Sequence, residues 1–430
     1  MASFNLSISK VQDYDVVVVG GGFAGVAAAV SSATCGARTL LIECSGELGG
    51  DITKGIVPQV LDHKGKGGLI RQLYDVMQST DKTSARFGAR YDGDGKRIPG
   101  TIFNLEYVKY YLEKFCIDAG ADLLLYSMMA GCELEDGKIK RIAVATECGS
   151  ISVGAKVFID ATGNGLLAAM AGCEWEIGHP ESHHPQPASS AIYVTGLPAD
   201  TKSTDNCEEK ENMKRLFASH GIEVSSEGVA MMHSAVDDIW MLTFNNQCDL
   251  TMSDPIELSR AAIEARAECV QVLDKLSAVP GFENAQLVQT SSHIGIREGK
   301  RIKGLYRLTL DDITSGRKFD DAICTVGFPV DVHRISPDDK SSINMGKVAL
   351  PYHVPYRCLV PIGCDNLLVA GRCISGDFFA HASYRVAGCV VPMGEAAGYA
   401  AARCIKDGVS PSSIDGKDVT EYMVSLGYEI

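Results

Sequence analysis

In the stretch VVVVGGGFAGVAAAV, four valines run into Gly20, Gly22 and Gly25 at the spacing G-x-G-x-x-G, with Phe23 and Ala24 opening an alanine-rich continuation. Each glycine has its own task in a phosphate cradle. The first permits a sharp turn, the second lets a pyrophosphate approach the backbone, and the third lets helix and strand pack closely. Free N–H groups at the start of the following helix, carrying partial positive charge, then face the phosphates. Glu43 stands at about the distance where a carboxylate accepts hydrogen bonds from ribose hydroxyls and repels a 2′-phosphate. Together these residues point to a dinucleotide site rather than to a plain structural corner.

For reactive side chains the sequence offers GDFFAHASYRVAG, where His381 and Arg385 are four residues apart. A histidine titrating near neutrality serves as general acid or base. An arginine clamps a carboxylate or another anion through two parallel hydrogen bonds. The competing reading of His381 is a core histidine bonded to backbone. Arg357, in PYRC, is a third candidate. Arg297 and Arg301 are again four apart, with pairing to Glu298 as an equally good reading, and His333 and His353 have weaker claims. His179, His183 and His184 have the composition of a metal site, but Pro180 and Pro185 break the helix that ligands four apart require, so no metal is expected. The fifteen cysteines are scattered without any C-x-x-C, which disfavours iron–sulfur clusters, structural zinc and a redox disulfide at Cys373, and leaves free thiols.

The elements that must position these residues follow from the pattern. Val16 to Val19 is a β-branched run suited to a parallel strand covered on both faces; a helix follows from Val26 to Ala33, then a second strand from Thr39 to Glu43. That is one β-α-β unit. Asn104 is placed to cap a helix whose apolar residues recur at helical spacing until Gly120. Residues 131 to 160 read as a meander with turns at Asp136-Gly137 and Gly149-Ser150. A boundary falls in HPESHHPQP, and beyond it a helix is opened by Ser253, Asp254 and Pro255. The expected fold class is therefore α/β: a Rossmann-like domain of parallel sheet plus three-stranded β-meander, formed by residues 1–185 and 355–430, with an inserted α+β domain at 186–354.

At 430 residues the chain exceeds the size at which a single core stops growing, in agreement with two domains. Its net charge of −14 disfavours nucleic acid and anionic membranes as partners. The start, MASFNLSISKVQDYD, lacks the blocks of a signal peptide, and no apolar run is long enough to span a bilayer, so a cytoplasmic protein is expected. The chain leaves room for a homo-oligomer.

Several further motifs occur in one order along nearly the whole chain: Gly49-Gly50 in ELGGDITKG, FIDATGNG at 158–165, IGIREGKRIKG at 294–304, VPYRCLVP at 354–361, and DNLLVAGRCIS with MGEAAG. With the glycine turn and Glu43, they make the chain resemble the FAD-dependent oxidoreductase family, which shares the flavin-binding fold of the glutathione-reductase and fumarate-reductase flavoproteins. The resemblance implies FAD, noncovalent by default, although His63 lies in a segment that could approach the ring. It implies that Ala161, Thr162 and Gly163 line the cofactor, that backbone near Met129 meets the adenine, and that Gly371 and Arg372 sit beside the ribityl and pyrophosphate groups. It further implies that a helix beginning near Met393 and Gly394 aims its N-terminus at the flavin pyrimidine, stabilising negative charge there. Asn164 stands where the family commonly has Asp, and Gly299 and Lys300 stand where Arg or Thr is usual. Flavin binding survives these departures; substrate identity does not transfer.

The function so implied is hydride transfer between a small organic substrate and flavin N5 at the domain interface, with His381, Arg385 and Arg357 as catalytic residues. The alternatives are an oxygen-using oxidase or monooxygenase, a flavin-carrying electron-transfer or assembly protein without small-molecule turnover, and an NAD-only dehydrogenase.

Overall fold

Val16, Val17, Val18 and Val19 are each 4% exposed or less, because the strand that holds them (Ile8–Val19) has a parallel neighbour on either side. A computed structural model describes residues 7–80, 85–91, 97–336 and 348–430. The first six residues, read above for a leader, lie outside that set. Four strands run side by side in the order Asp122–Leu124, Thr39–Ile42, Ile8–Val19 and Gly149–Asp160, all parallel. A fifth, Leu367–Val369, comes from near the other end of the chain and pairs in parallel with Phe158–Asp160. The first half of Gly149–Asp160 also pairs antiparallel with Lys138–Thr146, which pairs with Ser127–Glu135. This is the expected meander. Its first turn is at Asp136-Gly137, both with positive φ; its second is at Glu147-Cys148, because Gly149 and Ser150 already pair as strand.

Helices cover this sheet where the sequence calls for them. The Phe23–Thr34 helix follows the glycine turn, and Leu105–Asp118 is capped by the Asn104 side chain accepting from the Glu106 N–H. The inserted segment forms an antiparallel sheet in the order Ala230–His233, Trp240–Thr243, Ala191–Thr195 and Gln286–Thr290. Asp254 caps the helix packed on it, Pro255–Leu276. These elements share their own core, with Ile192, Val194, Phe217, Leu242 and Leu276 in it. Ahead of the boundary expected at 355, Ile302, Leu308, Ile323, Tyr352 and Val354 share the first core, a difference between core and expected domain limits. Pairing explains the difference, since Arg301–Ile302 pairs with Trp175–Glu176 and Ala322–Val326 with Tyr352–Pro355.

The late helix, Ala387–Asp407, lies against the Phe23–Thr34 helix. Ser31 Oγ donates to the Glu395 carbonyl at 2.8 Å, and a Cβ at Gly394 or Gly398 would collide with the carbonyl of Ala24 or Ala28. Only glycine lets the two backbones come this close. The Glu395 side chain points the other way, accepting from the Leu69 N–H at 2.8 Å and from the Tyr428 hydroxyl, and so ties two further segments to this helix. Burial pushes its carboxyl up to about 7, against the lowering effect of those two bonds. A carboxyl raised in the folded state favours folding below its unfolded value and loses that contribution as pH rises through about 7. Wild-type protein should therefore lose about 3 kcal/mol of stability between pH 4.5 and 8 from this group. Glu395→Gln should show a flatter dependence of Tm on pH, and an identical slope in the two proteins would refute the assignment.

Candidate functional site

The glycine turn is held by contacts that leave no room for side chains. Gly20 has φ +103°, and a Cβ on it would stand 2.5 Å from the Ala161 carbonyl oxygen. A Cβ on Gly25 would fall on the Gly20 carbonyl oxygen itself. Gly22 is the N-cap of the Phe23–Thr34 helix and makes no side-chain cap, so the N–H groups at this helix start keep their capacity for an anion. Gly49 donates its N–H to the Gly21 carbonyl at 2.9 Å, and Gly22 and Gly49 form a bridge. A Cβ on Gly50 would come within 3.1 Å of the Gly22 Cα. The two glycine segments thus form one backbone surface.

Glu43, 4% exposed, anchors the edge of that surface. Its Oε2 accepts the Gly21 N–H at 2.7 Å, and its Oε1 accepts from Ser45 N, Ser45 Oγ and Lys54 Nζ at 2.9, 2.7 and 2.8 Å. Burial raises this carboxyl, but the Lys54 ammonium and the N–H and O–H donors outweigh it and bring it to about 2. It is a carboxylate at any working pH, and Oε2 keeps a lone pair for a ribose hydroxyl. Glu43→Gln should weaken dinucleotide binding by about tenfold, since a charged acceptor becomes a neutral one. Fluorescence titration of the apoprotein with the dinucleotide measures this, and unchanged affinity would remove Glu43 from the site. Ser127, two residues before the buried Met129, donates its N–H to the Glu43 carbonyl at 2.9 Å, so the start of the meander borders the same edge.

The third wall comes from FIDATGNG. Asp160 is fully buried and sequence reasoning passed over it, although an Asp two residues before a Thr at a strand end is a turn signal. Its carboxylate accepts from Thr162 N, Thr162 Oγ1 and Ala168 N at 3.0, 2.7 and 2.9 Å, shaping the Ala161–Gly165 turn, while burial pushes its carboxyl up. Arg372 lies across this turn. Its Nη2 donates to Asn164 Oδ1 at 2.9 Å and its Nη1 to Asp51 Oδ2 at 2.8 Å, and a Cβ on Gly163 would meet its Cζ at 2.8 Å. Arg372 Nε is buried with no hydrogen-bond partner. Gly371, with φ +93°, faces the Ala24 side chain. The turn after the first strand, the turn after Gly149–Asp160 and the turn after Leu367–Val369 therefore meet, with an orphaned cationic N–H among them. Such an N–H calls for an anionic or carbonyl acceptor, and the free helix start and side-chain-free glycine surface fit the pyrophosphate of an extended dinucleotide.

The helix expected to begin near Met393 begins at Ala387, two turns earlier, with Pro392 inside it. Met393 is fully buried and Gly394 packs on Ala24, so both are interior positions of the helix; its N-terminus is at Val386–Gly388, where Gly388 donates to the Leu61 carbonyl at 3.0 Å.

His381 lies in the short helix Phe378–Tyr384, with Arg385 at its C-cap. The imidazole is fully buried and neither ring nitrogen has a hydrogen-bond partner. The alternative read from sequence, a core histidine bonded to backbone, is not what the structure shows. Burial first, then the guanidinium groups of Arg301, Arg385 and Arg372, hold its pKa well below the ordinary histidine value. Arg385 Nη2 donates to the Asp331 carbonyl at 2.7 Å and Nη1 to the Arg297 carbonyl at 3.4 Å. Arg357 is not brought to this cluster. Its Nε and Nη2 bond both oxygens of Asp321 at 2.9 and 3.1 Å, and it lines a separate cleft of about 530 Å³ with Arg317, Lys318 and Lys417. Arg301 pairs with the buried Glu298, the structural reading.

His179 packs edge-on against Phe378 and Phe379, and His184 bonds Asp249 at 2.5 Å. Among the described residues no group of three or more His, Cys, Asp or Glu side chains is arranged to hold a metal ion. All fifteen cysteines are free thiols, nine of them buried. No described helix is long and apolar enough to cross a membrane.

Comparison with known proteins agrees with the geometry. Over 166 residues the chain is 32% identical to the tRNA uridine 5-carboxymethylaminomethyl modification enzyme MnmG of Ligilactobacillus salivarius, covering 36% of this chain and 24% of that enzyme. Over 170 residues it is 29% identical to the digeranylgeranylglycerophospholipid reductase of Thermoplasma volcanium, covering 35% and 40%. The chain thus matches only about a quarter of the length of the former and two fifths of the latter. The OxyS anhydrotetracycline hydroxylase of Streptomyces rimosus shares the fold, with a TM-score of 0.50 at 14% identity over 96% of this chain and 65% of that one. A family model described as FAD dependent oxidoreductase matches residues 15–423, so the chain belongs to the FAD-dependent oxidoreductase family and is a flavoenzyme whose cofactor is FAD.

Proposed function

We propose that the enzyme moves a hydride between a small organic substrate and N5 of a noncovalently held FAD, in the crevice between the dinucleotide-binding unit and the inserted sheet. The observation that carries this reading is His381, a buried imidazole without a hydrogen-bond partner among Arg301, Arg385 and the Arg372 of the cradle. A residue that costs stability in this way is retained for something the protein alone does not satisfy.

In this reading Gly20, Gly22, Phe23, Ala24 and Gly25 hold the pyrophosphate, with Gly49 and Gly50 as the opposite side of the same surface. Glu43 takes the adenosine ribose and the backbone near Met129 the adenine. Ala161, Thr162, Gly163, Gly371 and Arg372 border the ribityl chain. The role expected for Met393 and Gly394 passes to the helix start at Val386–Gly388. When bound, FAD supplies the two-electron acceptor or donor. His381, neutral at working pH, takes the proton from a substrate O–H or N–H in the oxidative direction and returns it in the reverse direction. Arg385 orients the substrate. The inserted segment limits water: Ser292 donates to the Lys54 carbonyl at 3.1 Å, and Ile56 and Leu105 pack with Ala191 and Met241. The net charge of −14 favours a small molecule over nucleic acid as substrate, although the MnmG relatives are named for tRNA.

Anaerobic addition of a metabolite panel to the holoenzyme, followed at about 450 nm where oxidised flavin absorbs, tests this. Bleaching by at least one chemical class is expected. Reduction that occurs only when a partner protein is added would overturn it.

A further inference from the structure

We propose that the substrate carries a carboxylate, held by Arg297 and Arg385 with the Gln186 amide as a third donor. This rests on the reading of the crevice as the substrate site.

Arg297 is half-buried. Its Nη1 donates to the Pro187 carbonyl at 2.7 Å, and it forms no ion pair among the described residues. Burial, followed by the neighbouring Arg385 guanidinium, pushes its pKa down to about 10. Two guanidinium groups this close and this poorly hydrated repel each other unless an anion lies between them.

Among the described residues Asp331 and Glu227 attract Arg297 from beyond ion-pair distance, and both have nearer partners. Asp331 is shared between Arg385, at 3.6 Å, and His333 Nε2, at 3.5 Å. Glu227 accepts from the Arg334 N–H and from Asn246 Nδ2 at 2.8 Å. His333 adds no fixed charge, since burial and Arg297 depress its pKa. Arg297 itself is therefore left without a carboxylate at ion-pair distance among the described residues.

Gln186 supplies an independent observation. It is 2% exposed, its Oε1 accepts the His333 N–H at 3.4 Å, and its Nε2 is buried with no acceptor. It precedes Pro187, the residue that holds Arg297. An orphaned amide donor on the residue before the one that anchors a guanidinium fork without an ion pair supplies donors of the kind a planar oxygen anion takes. Arg385 is one helical turn from His381, so the two side chains start from the same side of the Phe378–Tyr384 helix.

Holoenzyme titrated with acetate, butyrate and benzoate, and with the matching amides, decides the matter through the flavin absorption spectrum and Tm. At least one carboxylate should perturb the flavin and raise Tm saturably while its amide does not. Arg297→Gln should retain FAD and bind that carboxylate about tenfold more weakly or worse, with Arg297→Lys between it and wild type. Gln186→Met, which keeps the volume, should weaken it severalfold if Arg297 variants do not fold. Equal effects of acid and amide, inorganic phosphate acting as strongly as any carboxylate, or undiminished binding in Arg297→Gln would overturn the proposal. Bleaching by uncharged substrates alone would also sink it, while leaving the oxidoreductase reading intact. Specific carboxylate binding with no substrate ever reducing the flavin would do the reverse.

Discussion

Gly25→Ala protein is expected to purify without the visible flavin band, its affinity for FAD lowered by about 100-fold or more. The new methyl group would fall on the Gly20 carbonyl oxygen, and Gly20 sits with φ +103° in a turn where even a Cβ of its own would stand 2.5 Å from the Ala161 carbonyl oxygen. Overpacking of this kind usually costs about 1–3 kcal/mol, more where backbone must move. Here what moves is the helix start that presents N–H groups to the pyrophosphate, so the cost falls on cofactor binding before it falls on the fold. Gly131→Ala is the control: a strand glycine whose Cβ would meet nothing within 4 Å and whose φ is not positive, expected to keep full flavin content. The ratio of visible to protein absorbance after ultrafiltration reports both. Stoichiometric, tightly held FAD in Gly25→Ala would mean that the dinucleotide binds elsewhere.

The parts of this site legible in the sequence are those whose cause is local. The glycine turn is set by three residues within six positions, and Glu43 by the length of one β-α-β unit; the caps at Asn104 and Asp254 act within one helical turn. What could not be read depends on residues far apart. The late helix starts at Ala387 instead of near Met393 because Pro392, normally the mark of a first turn, is accommodated inside it. The return of the chain to the first core at Ile302 depends on Trp175–Glu176 being available as a partner strand. Arg357 looked like a ring neighbour because it precedes a returning strand, and only the fold shows Asp321 engaging two of its nitrogens. Likewise no local rule places Arg372, Arg301 and Arg385 around His381, yet that grouping decides its protonation state.

That protonation state makes His381→Leu the most discriminating substitution in the catalytic cluster. A histidine kept for structure would lose hydrogen bonds on replacement and lower Tm. His381 has none to lose at its ring, so an apolar residue of similar size removes two unsatisfied buried nitrogens and should leave Tm unchanged or higher. Flavin reduction by substrate should meanwhile slow by about 10²–10⁴-fold, the usual worth of a positioned general base. Two pH profiles sharpen the contrast. Because burial and three guanidinium groups hold the imidazole neutral, wild-type reduction should be flat above neutrality and fall only in acid well below the ordinary histidine pKa. For stability the sign follows from proton uptake: below about pH 6.5 the unfolded chain binds a proton at this position that the folded chain refuses, so wild-type stability declines as pH falls. His381→Leu should lack that share of the decline. A variant that is both less stable than wild type and unimpaired in flavin reduction would show that the imidazole is a packing element and that the proton is handled by another group.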